Sequence, residues 1–167
     1  MSKDPTGTII STPTGRAVVI ERTFRAPIED VWASITESER LSRWIGHWTG
    51  EPGVGNVVRF TMSAEDGAQP EDVTIVACDP PRTLRAHFSQ GDGTWHVEVD
   101  LAEFDGVTTL LFRQSIAPGE ESQGMGPGWE FYLDRLVADH ADAPMPDWDD
   151  YYPHQQMHYE AAAAALG

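Results

Sequence analysis

Between Thr94 and Leu101 the chain alternates without interruption: Trp95, Val97, Val99 and Leu101 fall on one side, His96, Glu98 and Asp100 on the other. Successive side chains of a strand point to opposite faces, so this stretch makes a strand with one dry and one wet side, and a helix of the same residues would have no apolar stripe. A sheet with one dry face must be covered by another layer. The same period of two recurs in Val54, Val58, Phe60 and Met62, in Val73, Ile75 and Ala77, and in Leu84, Ala86 and Phe88. Gly91-Asp92-Gly93 and Asp105-Gly106 carry the glycines that tight hairpins need, which predicts an antiparallel meander ending in a strand over 107–116.

The covering layer is visible on either side of that meander. Ala17 to Phe24 reads as a strand, and Ala26-Pro27 stops it because proline fixes its own φ and restricts its predecessor. Ile28, Val31, Trp32 and Ile35 then recur with helical spacing, with Glu29 and Asp30 in the first turn, where the helix dipole favours negative charge. A second short helix starts at Ser38, with Leu41, Trp44 and Ile45 as its apolar edge. After the Gly124-Met-Gly-Pro-Gly128 loop, Trp129, Leu133, Leu136, Val137 and His140 line one stripe of a helix to about Asp142. Pro144 and Pro146 end it, and residues 153–166 can form one more. The fold class is therefore α+β, helices on one face of an antiparallel sheet.

At 167 residues, 40% of them hydrophobic, the chain suits one domain better than two, which would each bury too little. Residues 1–15 read as a flexible arm, 16–142 as the folded domain and 143–167 as an acidic, aromatic extension. The net charge of -16 repels phosphate backbones and anionic lipid heads, so neither nucleic acid nor membrane is an expected partner. No apolar run approaches the ~20 residues that span a bilayer, and Met1-Ser-Lys-Asp-Pro-Thr has no apolar core for secretion, so a cytoplasmic location is expected. The single Cys78 excludes an internal disulfide and fits a reducing compartment. Ten of the eleven basic residues are arginine, which points to a GC-rich bacterial genome.

Five landmarks, in order, resemble one superfamily: Phe24-Arg-Ala-Pro-Ile-Glu-Asp-Val-Trp-Ala-Ser-Ile-Thr36 with Leu41-Ser-Arg-Trp44, the turns at Pro52 to Gly55 and at Asp79 to Leu84, and Gly128-Trp-Glu-Phe-Tyr-Leu-Asp-Arg-Leu136. They are similar to the SRPBCC (START-like) superfamily, in the branch named after the activator of the heat-shock-protein ATPase. The resemblance covers roughly residues 16–140. It implies a helix-grip fold, a curved antiparallel sheet wrapped around a long C-terminal helix with an apolar cavity between them. Members of that superfamily include small-molecule binders, polyketide cyclases and aromatases, and co-chaperones.

The motifs of strong catalytic signatures are absent: there is no Gly-x-Ser-x-Gly elbow, no Walker loop and no His-Glu-x-x-His. The run of glycines before the long helix is no phosphate cradle, since Pro127 removes a donor N–H and Glu120 and Glu121 repel an anion. His154 and His158 read as solvated, as do Asp147, Asp149 and Asp150, which lack the spacing of a calcium loop. His87, His96, Glu98 and Asp100 fall on wet faces by alternation, although an inward His87 would be an acid–base candidate. No residue near Cys78 in sequence lowers its pKa, so a structural thiol is expected. In the last strand two sets compete for the inner face, and an inward Arg113 would anchor a carboxylate or phenolate.

The aromatic set carries the remaining signal: Trp32, Trp44, Phe60, Phe88, Trp95 and Trp129 all fall on expected inner faces, where rings either fill a core or line a pocket. With Met62, Ile75, Leu84, Val97, Arg113 and Leu133 they are the cavity candidates. The expected function is binding of a small hydrophobic or aromatic ligand, with no catalytic residues, metal or cofactor assigned. A lipophilic-substrate enzyme using Arg113, His87 or Tyr132 and an interaction module of the co-chaperone kind are the alternatives. Monomer and homodimer both remain open, because the aromatic extension can pack on its own domain or on a second copy.

Overall fold

The computed structural model describes residues 2–63, 65–90, 93–119 and 124–167. Eight strands form one sheet, β1 (Thr8–Thr12), β2 (Gly15–Phe24), β3 (Gly46–Thr49), β4 (Val57–Met62), β5 (Glu71–Asp79), β6 (Thr83–Gln90), β7 (Gly93–Phe104) and β8 (Val107–Ile116), in the order β1-β2-β8-β7-β6-β5-β4-β3. Helices α1 (Ile28–Thr36) and α2 (Ser38–Leu41) follow β2, while α3 (Met125–His140), a 3₁₀ turn (Trp148–Asp150) and α4 (Gln156–Ala164) follow β8. This is the expected α+β, helix-grip class. The expected turn at Gly91 and Asp92 lies outside the described residues. The chain divides into two compact units, Thr23–Leu110 and Met1–Arg22 with Leu111–Gly167.

In the unit of residues 23–110, α1 begins where Pro27, which has no N–H to lose, accepts from Asp30 N–H at 3.0 Å. Its last carbonyls have no partner within the helix, and two indoles supply them: Trp44 donates to Ser34 O and Trp48 to Thr36 O, each at 2.9 Å. Ser38 adds a two-way clamp, its hydroxyl donating to Trp48 O at 2.7 Å and accepting from Trp48 N–H at 2.9 Å. The meander β4 to β7 is antiparallel throughout. A register shift between Ile75 and Ala77 breaks the simple alternation of β5. The extra residue reverses the side on which later side chains fall, so Ala77, expected beside Val73 and Ile75, pairs instead with Arg85, and Cys78 pairs with Leu84. Val54, expected in β4, precedes that strand and is 61% exposed.

In the unit of residues 1–22 and 111–167, the segment expected as a flexible arm carries β1, paired with β2 from Thr8↔Val19 to Thr12↔Gly15. Threonine and isoleucine in that stretch suit a strand, and its partner is supplied by the next one rather than by any periodicity of its own. Helix α3 starts at Met125, earlier than the glycine-rich run suggested, because first-turn N–H groups need no intrahelical acceptor and Pro127 is tolerated there. The competition in β8 is resolved for the even set: Thr108, Leu110, Phe112, Gln114 and Ile116 are buried.

Candidate functional site

The apolar side of the meander is built in rows. Val58, Val73, Phe88 and Trp95 are cross-strand neighbours in β4, β5, β6 and β7, and Ile75, Ala86 and Val97 form the next row. Phe60 meets Phe88 edge-on, with ring centroids 5.8 Å apart. Coverage along this face is uneven. Val58, Phe60, Val73, Ala86, Val97 and Val99 are buried, whereas Met62, Ile75, Leu84, Phe88 and Trp95 are half-buried. Seven of the twelve cavity candidates therefore share one face: Phe60, Met62, Ile75, Leu84, Phe88, Trp95 and Val97. Trp32 is half-buried on α1, and Trp44 is buried with its N–H already engaged by Ser34.

The opposite side of the same strands is charged. His87 and His96 are cross-strand partners with rings stacked at 3.9 Å, on the face away from Phe88 and Trp95. Burial, and then the neighbouring His96, hold the His87 pKa below its ordinary value of 6.5. Arg85 lies beside two carboxylates of β7, its Nη2 3.1 Å from Asp100 and its Nε 3.7 Å from Glu98, so the two acids expected as a solvated pair share a cation. Cys78 is exposed, and partial burial followed by the charge of Asp79 pushes its thiol pKa up, away from reactivity.

Three candidates belong to the other unit. Leu133 is buried on α3, and Trp129 is half-buried, 4.3 Å from the Phe112 ring, with its N–H donated to the Gln114 side-chain carbonyl. Arg113, whose direction the sequence left open, alternates with Phe112 and Gln114, which both meet Trp129, so its side chain leaves β8 on the other face.

That unit also holds a cluster that the sequence reading did not single out. Glu130 on α3 is 1% exposed and accepts from five donors: Thr6 N–H at 2.7 Å, Thr6 hydroxyl at 2.8 Å, Gly7 N–H at 2.8 Å, Arg22 Nη2 at 2.7 Å and Tyr159 hydroxyl at 2.5 Å. Arg22 Nε donates to Asp134 at 2.8 Å, and the Tyr151 hydroxyl reaches the other oxygen of that carboxylate at 2.7 Å. Burial alone would raise the Glu130 pKa, but the bonds from Tyr159, Arg22, Gly7 and Thr6 outweigh it and hold the group below its ordinary 4.5. Burial and then a carboxylate neighbour push both tyrosines well above the ordinary phenol value. Every oxygen of Glu130 is occupied, so the cluster fastens the extension and leaves little for a substrate to bind. The signal for Arg22 was present in β2, where Val18, Ile20, Arg22 and Phe24 share one face.

The extension is thus packed on its own unit. Tyr151 and Tyr159 are buried, Lys3 N–H donates to Asp150 O at 2.8 Å, and Gln155 Nε2 donates to Lys3 O at 3.0 Å. Tyr159 sits in a slot between Gly7 and Gly126, where a Cβ on either residue would collide with its ring or hydroxyl. His158 lies 2.8 Å from Gly7 O, and His154 precedes α4, so the two histidines are not neighbours on one helical face. Among the described residues no group of three or more His, Cys, Asp or Glu is placed to hold a metal ion, and no helix is long and apolar enough to cross a membrane.

A sheet of this strand order with two short helices after its second strand and a long helix after its last defines a helix-grip protein. Residues 25–140 match the family described as "Activator of Hsp90 ATPase homolog 1-like protein", and the chain belongs to that family. Its fold is similar to CalU16 from Micromonospora echinospora, at 24% identity over 95% of this chain and 96% of that chain, with a TM-score of 0.76. MLL2253 from Mesorhizobium loti is similar at 26% identity over 76% of this chain and 97% of that one, with a TM-score of 0.66. DynU16, a protein of the dynemicin biosynthetic locus, is similar at 23% identity over 78% of this chain and 49% of its own, with a TM-score of 0.67. No curated protein matches the sequence.

Proposed function

We propose that the chain binds a small hydrophobic or aromatic molecule on the apolar face of β4 to β7 and carries out no chemistry on it. The observation that carries this reading is the pair Phe88 and Trp95, directly opposed across two strands and left half-buried beside the buried Val73, Ala86 and Val97. Rings held edge-on and side by side offer a flat ligand stacking and edge contacts at little entropic cost, because the sheet already fixes them. His87, His96, Glu98 and Asp100 lie on the other face, while Glu71, opposite Phe60, and Cys78, opposite Leu84, share the apolar one away from the Phe88–Trp95 pair. The likeness in fold to a protein of a biosynthetic locus favours a small-molecule ligand over a co-chaperone role. A cytoplasmic, soluble carrier or sensor is the form this function would take.

Titration with a chemically varied set of apolar fluorescent and aromatic probes tests the reading through quenching of tryptophan emission. Saturable binding at ~µM Kd is expected for at least one probe class. Trp95→Ala should weaken it about tenfold, the loss of one aromatic contact of ~1.4 kcal/mol. An absence of saturable quenching across the set, or equal affinity in Trp95→Ala and wild type, would overturn the assignment.

A further inference from the structure

The extension buries Tyr151 and Tyr159 but leaves two other rings outside. Trp148 and Tyr152 are stacked nearly parallel, 8° apart with centroids 5.5 Å apart, and are 37% and 38% exposed. Trp148 is held from behind by the edge of Phe131 at 5.4 Å, and Phe131 is in turn braced by Tyr151 at 5.5 Å. The exposed pair is therefore fixed in place before anything touches it. Met145, 41% exposed, extends the apolar character of the same segment.

The charge around this pair is mainly acidic, with Lys3, whose backbone N–H reaches Asp150 O, as a nearby cation. Asp147 and Asp149 flank Trp148, and from Gln114 to Gly167 Arg135 is the only lysine or arginine among ten acidic residues. Arg135 already lies over the Phe131 ring, 5.6 Å from its centroid, so this aromatic cluster takes a guanidinium on the one face where the chain provides one. Ring faces carry negative partial charge and attract cations, most strongly on tryptophan, and nearby carboxylates add to the attraction. Nucleobases would also stack on such rings, but a chain of charge -16 repels the phosphates that come with them.

We propose that the stacked Trp148–Tyr152 face docks a basic, arginine- or lysine-bearing segment of a partner protein. The surface lies beyond residues 25–140, the part matched by the family, although the likeness in fold to CalU16 covers 95% of the chain. Binding joins two terms: the aromatic pair receives the flat guanidinium or the alkyl stem, and Asp147 and Asp149 set the sign of the partner.

The test uses the full chain and three labelled dodecapeptides of alternating residues: Arg/Ser, Gly/Ser and Glu/Ser. Fluorescence anisotropy should give a Kd on the order of 10 µM for the arginine peptide, weakened by salt, and no saturable binding of the other two. Trp148→Ala should lose at least tenfold in affinity and Asp149→Asn roughly threefold. Because Trp148→Ala also removes a support of Phe131, Tyr152→Leu serves as the second aromatic variant and should lose about fivefold with an unchanged melting temperature. Equal affinity in Tyr152→Leu and wild type would reduce the effect to diffuse charge and overturn the proposal. So would binding of the Gly/Ser peptide, or a concentration-dependent dimer in sedimentation that Tyr152→Leu abolishes, which would assign the face to a second copy of the chain.

Discussion

Glu130 and Phe88 both sit on interior surfaces, and the molecule treats them in opposite ways. In the unit of residues 1–22 and 111–167 a buried carboxylate gathers five donors from three segments and leaves nothing unpaired on either oxygen. In the unit of residues 23–110 an apolar face closes over Val97 and Val99 yet stops short of Phe88 and Trp95. A saturated polar cluster is costly to disturb, because removing one member strands the others in low dielectric. A half-covered apolar face is cheap to disturb and has contact energy still to gain from a ligand. On the proposed function, stability and recognition fall to different units by different chemistry.

The contrast is broken most directly at Glu130. Glu130→Ala leaves the Arg22 guanidinium with Asp134 as its one carboxylate and removes the acceptor of Tyr159, and it is expected to cost about 3–5 kcal/mol in urea unfolding. Trp95→Ala, in the other unit, should cost less than half of that, since its ring is only half-buried. If the two variants unfold at the same urea midpoint, the division of labour argued here is wrong. A smaller effect is expected from Gly126→Ala, which forces a Cβ against the Tyr159 ring and should cost ~1–3 kcal/mol. The cost should shrink when Tyr159→Ala is added, and a strictly additive double variant would show that the slot does not constrain Tyr159.

Acid separates the units with the smallest effects. Both groups have folded pKa values below their ordinary ones, so each contributes stability that is complete above the ordinary value and lost as pH falls through the folded one. For His87 that loss begins as pH falls below 6.5, and for Glu130 as it falls below 4.5. His87→Asn should flatten only the first part of a melting-temperature profile and Glu130→Gln only the second. A profile in which either variant alters both parts would couple groups that the structure keeps apart.

Legibility in the sequence followed the same divide. The meander could be read because a strand reports its two faces locally, and seven cavity candidates duly share one side of it. The β5 irregularity could not, since a bulge is defined by the partner strand and leaves Val76 looking like any other residue. Arg113 stayed ambiguous because both sets in β8 contain apolar side chains, and only packing against Trp129 chooses between them. Arg22 was legible in principle from the alternation of β2. Glu130 was not, because its partners at Thr6, Gly7 and Tyr159 lie 124, 123 and 29 residues away and carry no local pattern. The strand β1 was hidden for the same reason.

Those separations also set a timetable. Thr6, Gly7 and Arg22 leave the ribosome early, whereas Tyr159 follows Gly7 by about 150 residues, roughly ten to thirty seconds at ordinary elongation rates. Until Glu130 and Asp134 follow, late in that interval, the amides of Thr6 and Gly7 and the guanidinium of Arg22 lack their carboxylates, and Tyr159 completes the cluster last. The residues of the other unit, 23–110, are all synthesised within the same interval. The nascent protein therefore passes through a stage in which residues 23–110 are complete while Thr6 and Gly7 still wait for the tyrosine that locks them.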